Sequence, residues 1–241
     1  MKRFLLGAVI FCASVLAAQV PKESLQIVVV TTSTWNSANG TAERWERKKP
    51  GEKWHRMGDA FPVAVGRNGL AWGRGLQDSQ GYSGPVKKEG DGKAPAGIFR
   101  LTAAFGYSQR ADTQLPYVQA TDQLQCVDDP KSSHYNQLLM VSSTTERDWN
   151  SAEQMHREDD QYKYGVVVAH NTSPVEPGAG SCIFLHSWKR MGDGTSGCTA
   201  MDPLNVELLL SWLNEDKHPV LVQMPVDVYF ANQKTWGLPK K

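Results

Sequence analysis

What most restricts the fold of this chain is that its apolar residues come in short runs, each closed by a turn signal before a long helix can develop. Ile27-Val28-Val29-Val30-Thr31-Thr32 is β-branched throughout and predicts a first strand. Phe61–Val65, Ile98–Leu101, Gln137–Ser143, Tyr164–Ala169, Ile183–Leu185 and Pro219–Met224 predict further strands, and Gly66–Gly75 reads as a glycine-rich turn region around Trp72. Helical readings are confined to Thr41–Lys48, ended by Pro50-Gly51, and Leu204–Leu213, where Asp202 and Pro203 suit the N-cap and first position. The expected fold is therefore mainly β, a sandwich or barrel-like core with a few short helices. No repeat, linker or low-complexity segment divides the chain, so residues 19–241 are expected to form a single domain with a core at about 27–225.

The N-terminus predicts the compartment. Lys2 and Arg3 precede an apolar run from Phe4 to Leu16, followed by Ala17-Ala18-Gln19, the order of a secretory signal peptide, here assigned to residues 1–18. That run is shorter than the roughly 20 apolar residues a membrane span needs. Phe11 before Cys12 is unlike a lipoprotein signal. An exported protein, periplasmic or secreted and without a membrane span, is the expectation. Charge adds little: of 26 basic residues, removal of Lys2 and Arg3 leaves 24 against 25 acidic ones. With no run of like charge, nucleic acid is not an expected partner. Lys48-Lys49 and Lys87-Lys88 read as solvated surface pairs.

Cysteine counting is more pointed. Beyond the leader stand Cys126, Cys182 and Cys198, an odd number, which in an exported protein flags a free thiol. If Cys198 is that thiol, Cys126 and Cys182 remain to pair in an oxidising compartment. A Cys182–Cys198 bridge is the rival pairing. A zinc site from Cys182, His186 and Cys198, with His170 as a further candidate ligand, has only a loose ligand spacing. No metal or cofactor is expected.

His186-Ser187-Trp188, followed after a polar loop by Thr195-Ser196-Gly197-Cys198, supplies the chemistry. The loop Lys189–Gly194 carries two glycines and an aspartate and predicts that the chain turns back, setting His186 beside Cys198. A thiol with pKa of about 8.5 is mostly protonated at neutral pH, and an adjacent imidazole can take its proton to leave the nucleophilic thiolate. The amides of Gly197 and Cys198 are candidate oxyanion donors. The plainer reading makes Cys198 a buried filler and His186 a structural strand-end residue. Trp188 is a candidate for the substrate groove, with Thr195, Ser196 and Arg190 as further binding candidates, while Trp149, Trp212 and Trp236 read as core. Arg100 stands beside Arg190 as a candidate for substrate charge. Asp128-Asp129-Pro130 reads as a turn rather than a calcium loop. His170 reads as a strand-end histidine, and His55, His134, His156 and His218 have no evident partners.

Two stretches carry a family resemblance. Glu89-Gly90-Asp91-Gly92-Lys93-Ala94-Pro95-Ala96-Gly97-Ile98-Phe99 resembles the segment that leads into a core strand of L,D-transpeptidase (YkuD-type) catalytic domains, and Gly180-Ser181-Cys182-Ile183-Phe184-Leu185-His186 resembles the family's strand to its catalytic histidine. A Ser/Thr-x-Gly-Cys motif then follows in the family's order, here Thr195-Ser196-Gly197-Cys198. The resemblance implies a β-rich catalytic domain acting on peptidoglycan stem peptides. Cys198 would attack the carbonyl between the third and fourth stem residues, expel a D-amino acid and leave a thioester, with His186 as base and the Ser187 carbonyl fixing its tautomer. An amine acceptor gives an L,D cross-link; water gives L,D-carboxypeptidation. A non-catalytic wall-binding module is the reading from another class. The chain departs from the family in having Ser187 where glycine usually follows the histidine, in lacking the second histidine of Ser-His-Gly-Cys, and in carrying Ala200 where an arginine often stands.

Overall fold

The β-branched run Ile27–Thr32 lies in the middle of the architecture, with a partner strand on each edge. In the computed structural model, which describes residues 19–77 and 82–241, the strands are β1 (Gln26–Thr32), β2 (Asn39–Glu46), β3 (His55–Arg56), β4 (Phe61–Ala64), β5 (Leu70–Trp72), β6 (Ala94–Gly106), β7 (Tyr117–Gln119), β8 (Leu124–Val127), β9 (Leu138–Met140), β10 (Ala152–Gln154), β11 (Tyr164–Val168), β12 (Phe184–Ser187), β13 (Thr199–Met201) and β14 (Val220–Pro225). The helices are α1 (Pro203–Trp212) and α2 (Val226–Asn232). The signal peptide assigned to residues 1–18 lies outside the described residues. Hydrogen bonding runs β1-β14-β6-β11-β12-β13-β4-β2, and β2 pairs back onto β1, closing the sheet into a barrel; β3, β5 and β7 attach at β2 and β6. The fold is mainly β with few short helices, in agreement with the sequence pattern. Among the described residues no helix is long and apolar enough to cross a membrane.

β1 shows why a continuous β-branched run suits this position. It pairs in parallel with β14 and antiparallel with β2, and all of its residues except Thr31 are buried. A strand covered on both faces reads as an unbroken apolar run, with no alternation. Its outer side is covered in part by α2, which packs on β1 and β14.

Two local expectations are corrected. Thr41–Lys48, which reads as a helix, lies mostly in β2, with Thr41 opposite Thr31 on β1 and Pro62 on β4. Ala42-Glu43-Arg44 has good helical propensity, but propensity differences are a few tenths of a kcal/mol per residue. A strand with partners on both edges gains a ladder on each side and buries Trp45, and that outweighs them. Leu70–Trp72, inside the expected turn region, forms β5 against β6. Helix α1 is as predicted: the Leu204 N–H donates to Asp202 Oδ1 at 3.0 Å, and Val206, Leu209 and Leu210 face the core.

A second sheet of order β10-β8-β9 stands beside the barrel over a small core of Val127, Val141 and Trp149. A disulfide between Cys126 in β8 and Cys182 just before β12 ties it to the main sheet. Trp236 is fully buried with the main core, whereas Trp212 is half-buried at its rim and donates to Glu46 at 3.1 Å.

Candidate active site

His186 sits in β12 and Cys198 immediately precedes β13. The loop at residues 188–198 does return the chain, but β13 runs parallel to β12, with His186 opposite Ala200. Side chains alternate along a strand, so Cys198, two residues before Ala200, presents its thiol on the face that carries His186. Both line one cavity of about 610 Å³ and are almost fully buried.

The imidazole is oriented by the residue next to it. His186 Nδ1 lies 2.8 Å from the Ser187 carbonyl oxygen. A carbonyl only accepts, so Nδ1 carries the proton and Nε2 keeps its lone pair. The Tyr162 ring packs edge-on against the imidazole with centroids 5.0 Å apart. The Phe184 N–H donates to Cys198 Sγ at 3.3 Å, and the thiol donates to the Cys182 carbonyl at 3.4 Å. Burial pushes the thiol well above its usual range, and the Glu153 carboxylate adds to the effect. Burial likewise lowers His186 to about 4, opposed by its bond to the Ser187 carbonyl. The resting pair is a neutral thiol and a neutral imidazole.

The approach to the thiol is braced from within. The Thr195 hydroxyl donates to the Cys198 carbonyl at 2.6 Å and accepts the Gly197 N–H at 3.1 Å. The Gly197 amide, read from sequence as an oxyanion donor, is thus engaged by Thr195. Ser196 is exposed and accepts from Arg67 Nη1 at 3.1 Å. Trp188 is half-buried on the cavity wall. Arg190 lies off the wall, exposed and paired with Asp193, while Arg100 pairs with Glu23 on the surface. The cavity's cationic groups are Arg67, Lys87, Arg157 and Lys189.

Lys87 corrects the reading of a solvated pair. It is buried, with its ammonium 2.6 Å from Asp91, whose carboxylate also accepts the backbone N–H groups of Lys88 and Lys93. Sequence reasoning also passed over Glu89, Asp128, Glu153, Arg157 and Tyr162 as wall residues. Glu89 lies within the resembling stretch and Asp128 within the stretch read as a turn; Glu153, Arg157 and Tyr162 carry no motif or periodicity that marks them.

The free thiol among the described residues is Cys198, and the Cys126–Cys182 bond removes Cys182 from the candidate zinc ligands. His170 is a buried structural residue, its Nδ1 accepting the Arg74 N–H at 3.2 Å. Asp129 accepts the Lys131 N–H, which is turn chemistry, and the Asn150 N–H from a distant segment.

Comparison with known proteins adds three findings. The model of the YkuD family, L,D-transpeptidase catalytic domain, matches residues 49–228, a span that holds every cavity residue named above. A search of curated proteins gives no match. Among solved structures, the crystal structure of the helical cell shape determining protein Pgp2 from Campylobacter jejuni is similar at a TM-score of 0.40 and 14% identity, covering 88% of this chain and 52% of that one. The chain spans about half the length of that protein.

Proposed function

Since the chain belongs to the YkuD family of L,D-transpeptidase catalytic domains, which act on peptidoglycan, we propose that it is an exported cysteine acyltransferase of stem peptides, with residues 19–241 as one catalytic unit. One observation carries this reading. His186 has its Nδ1 committed to the Ser187 carbonyl, and it shares a sheet face and a cavity with the free thiol of Cys198.

In the proposed reaction the thiol turns its proton from the Cys182 carbonyl to His186 Nε2, and Sγ attacks the carbonyl between the third and fourth stem residues. The neutral resting pair makes this transfer part of the attack, with no thiolate stored beforehand. The Cys198 amide stabilises the tetrahedral oxyanion. The imidazolium then protonates the departing amine of the D-amino acid, and a thioester on Cys198 remains. An amine of a second stem takes the acyl group to give a cross-link. With Ala200 at the position where relatives carry arginine, Arg67 and Arg157 supply the guanidinium groups of the wall.

The test is intact mass spectrometry of the protein with disaccharide-tetrapeptide, comparing wild type with Cys198→Ala. A Cys198-dependent acyl adduct with release of the terminal D-amino acid supports the assignment, and the products separate transfer from hydrolysis. Turnover in Cys198→Ala refutes it.

A further inference from the structure

Tyr162 reaches the site from the loop before β11, and its hydroxyl stands among the acidic and reactive groups of the cavity. It donates to Glu153 Oε2 at 2.7 Å. It also lines the cavity that holds Cys198 and packs in the same buried cluster with it. The same ring rests against His186 and lies under the Arg157 guanidinium, 5.1 Å from its centroid. One phenol therefore rests on the imidazole and shares the cavity with the thiol, and a phenol has a single proton to donate.

We propose that Tyr162 is a further catalytic residue, whose hydroxyl holds the charge developing on Cys198 Sγ, and that Glu153 is the positioning residue that grants or withholds that proton. This rests on Cys198 being the nucleophile. With Glu153 ionised, the phenol proton is held by the carboxylate. With Glu153 protonated, the acid donates to the phenol oxygen and the phenol turns its proton to sulfur. The thiol proton still goes to His186, and the phenol proton is shared without being transferred. Charge is thus accommodated at sulfur in a buried cavity, where a hydrogen bond to an ion is stronger than one between neutral groups.

The surroundings favour such a switch. Glu153 sits in β10, on the small sheet, and faces Tyr162, Asp128, Arg157 and Glu89. Burial above all raises its carboxyl pKa, with Asp128 and Glu89 adding to it and Tyr162 and Arg157 opposing. Cys198 in turn faces Glu153 and Lys87 besides Tyr162 and Phe184.

Alkylation of Cys198 by iodoacetamide, followed across pH by peptide mass spectrometry with the disulfide intact, tests this without any stem peptide. Tyr162→Phe is expected to slow alkylation about tenfold on the acidic side of the profile, where Glu153 is protonated and the phenol serves the sulfur, and so to move that limb upward by about one pH unit, the worth of one hydrogen bond to an ion. Glu153→Gln donates an amide N–H to the phenol oxygen and removes a negative charge, so its profile is expected to move downward. A Tyr162→Phe profile that superimposes on wild type overturns the proposal. So does a Glu153→Gln profile that stays in place or moves up, and this second variant decides alone if the first does not fold. Shifted profiles in a protein that forms no acyl adduct would sink the stem-peptide substrate and leave the Tyr162–Glu153 pair standing.

Discussion

The Thr195 hydroxyl donates to the carbonyl of Cys198, three residues on, while accepting the amide of Gly197 between them. Thr195 is itself pinned, its N–H donating to Val65 and its carbonyl accepting from Arg67. The thiol's backbone is thus braced by a side chain anchored to the end of β4. Thr195→Val keeps the shape and removes both bonds. We expect kcat/KM to fall by about tenfold to a hundredfold, since a misplaced reacting group costs on that order. Thr195→Ser should restore most of it. Steady-state kinetics of the two variants check this, and a Val variant as fast as wild type would discard the brace.

Acid should weaken this fold through its two buried histidines. His170 and His186 are each lowered to about 4, chiefly by burial. Between about pH 6.5 and 4 the unfolded chain binds protons that the native one refuses, so stability rises with pH across that window. It is fully present above about 6.5 and lost as pH falls through 4, by on the order of 3 kcal/mol per histidine. Urea unfolding at several pH values measures the slope, and His170→Gln should remove close to one proton from it. The same depression of His186 extends the plateau of kcat/KM below the ordinary histidine range on the acid side.

Removing the Cys126–Cys182 bond should cost about 2–5 kcal/mol. It joins the small sheet to the segment that supplies the Cys182 carbonyl, the thiol's acceptor. Thermal melts of Cys126→Ala/Cys182→Ala against wild type read the loss, and digestion without reductant should yield one linked peptide pair with Cys198 alone open to labelling among residues 19–241. An unchanged melting temperature would contradict it.

Gly97 has φ +141, and a Cβ there would collide with the Gln77 carboxamide. That carboxamide donates to the Gly73 carbonyl and accepts the Ile98 N–H, so it has nowhere to retreat. We expect Gly97→Ala to destabilise the protein by roughly 2–4 kcal/mol, combining backbone strain with broken buried hydrogen bonds. Denaturant unfolding gives the value; a loss below about 0.5 kcal/mol, the spread of ordinary surface substitutions, would mean that Gln77 moves freely.

Much of this was legible locally. The run at Ile27–Thr32, the cap at Asp202 and the His186-to-Cys198 spacing each state their structure through patterns of a few residues. β2 was not legible, because its form is dictated by partners on both edges and not by its own propensities. Neither was most of the cavity wall. Glu153, Arg157 and Tyr162 come from a segment without periodicity, and they share a cavity with Cys198 because β11 pairs with β12 and the Cys126–Cys182 bond ties β8, the partner of β10, to the segment before β12. Lys87 looked solvated because a lysine pair carries no mark of the aspartate that draws it inward.

The parallel register of β12 and β13 decides which parts of this protein are free to vary. Sheet hydrogen bonds and the Thr195 brace fix the spacing of the imidazole and the sulfur, so the connection at residues 189–194 serves as a tether. Inserting residues near its exposed middle, around Arg190 and Met191, should leave the reacting atoms where they are. A slip of β13 by one residue would instead turn the sulfur to the opposite face of the sheet. The wall of the cavity can therefore change in that tether without displacing His186 or Cys198, whereas the pairing beneath it tolerates no such revision.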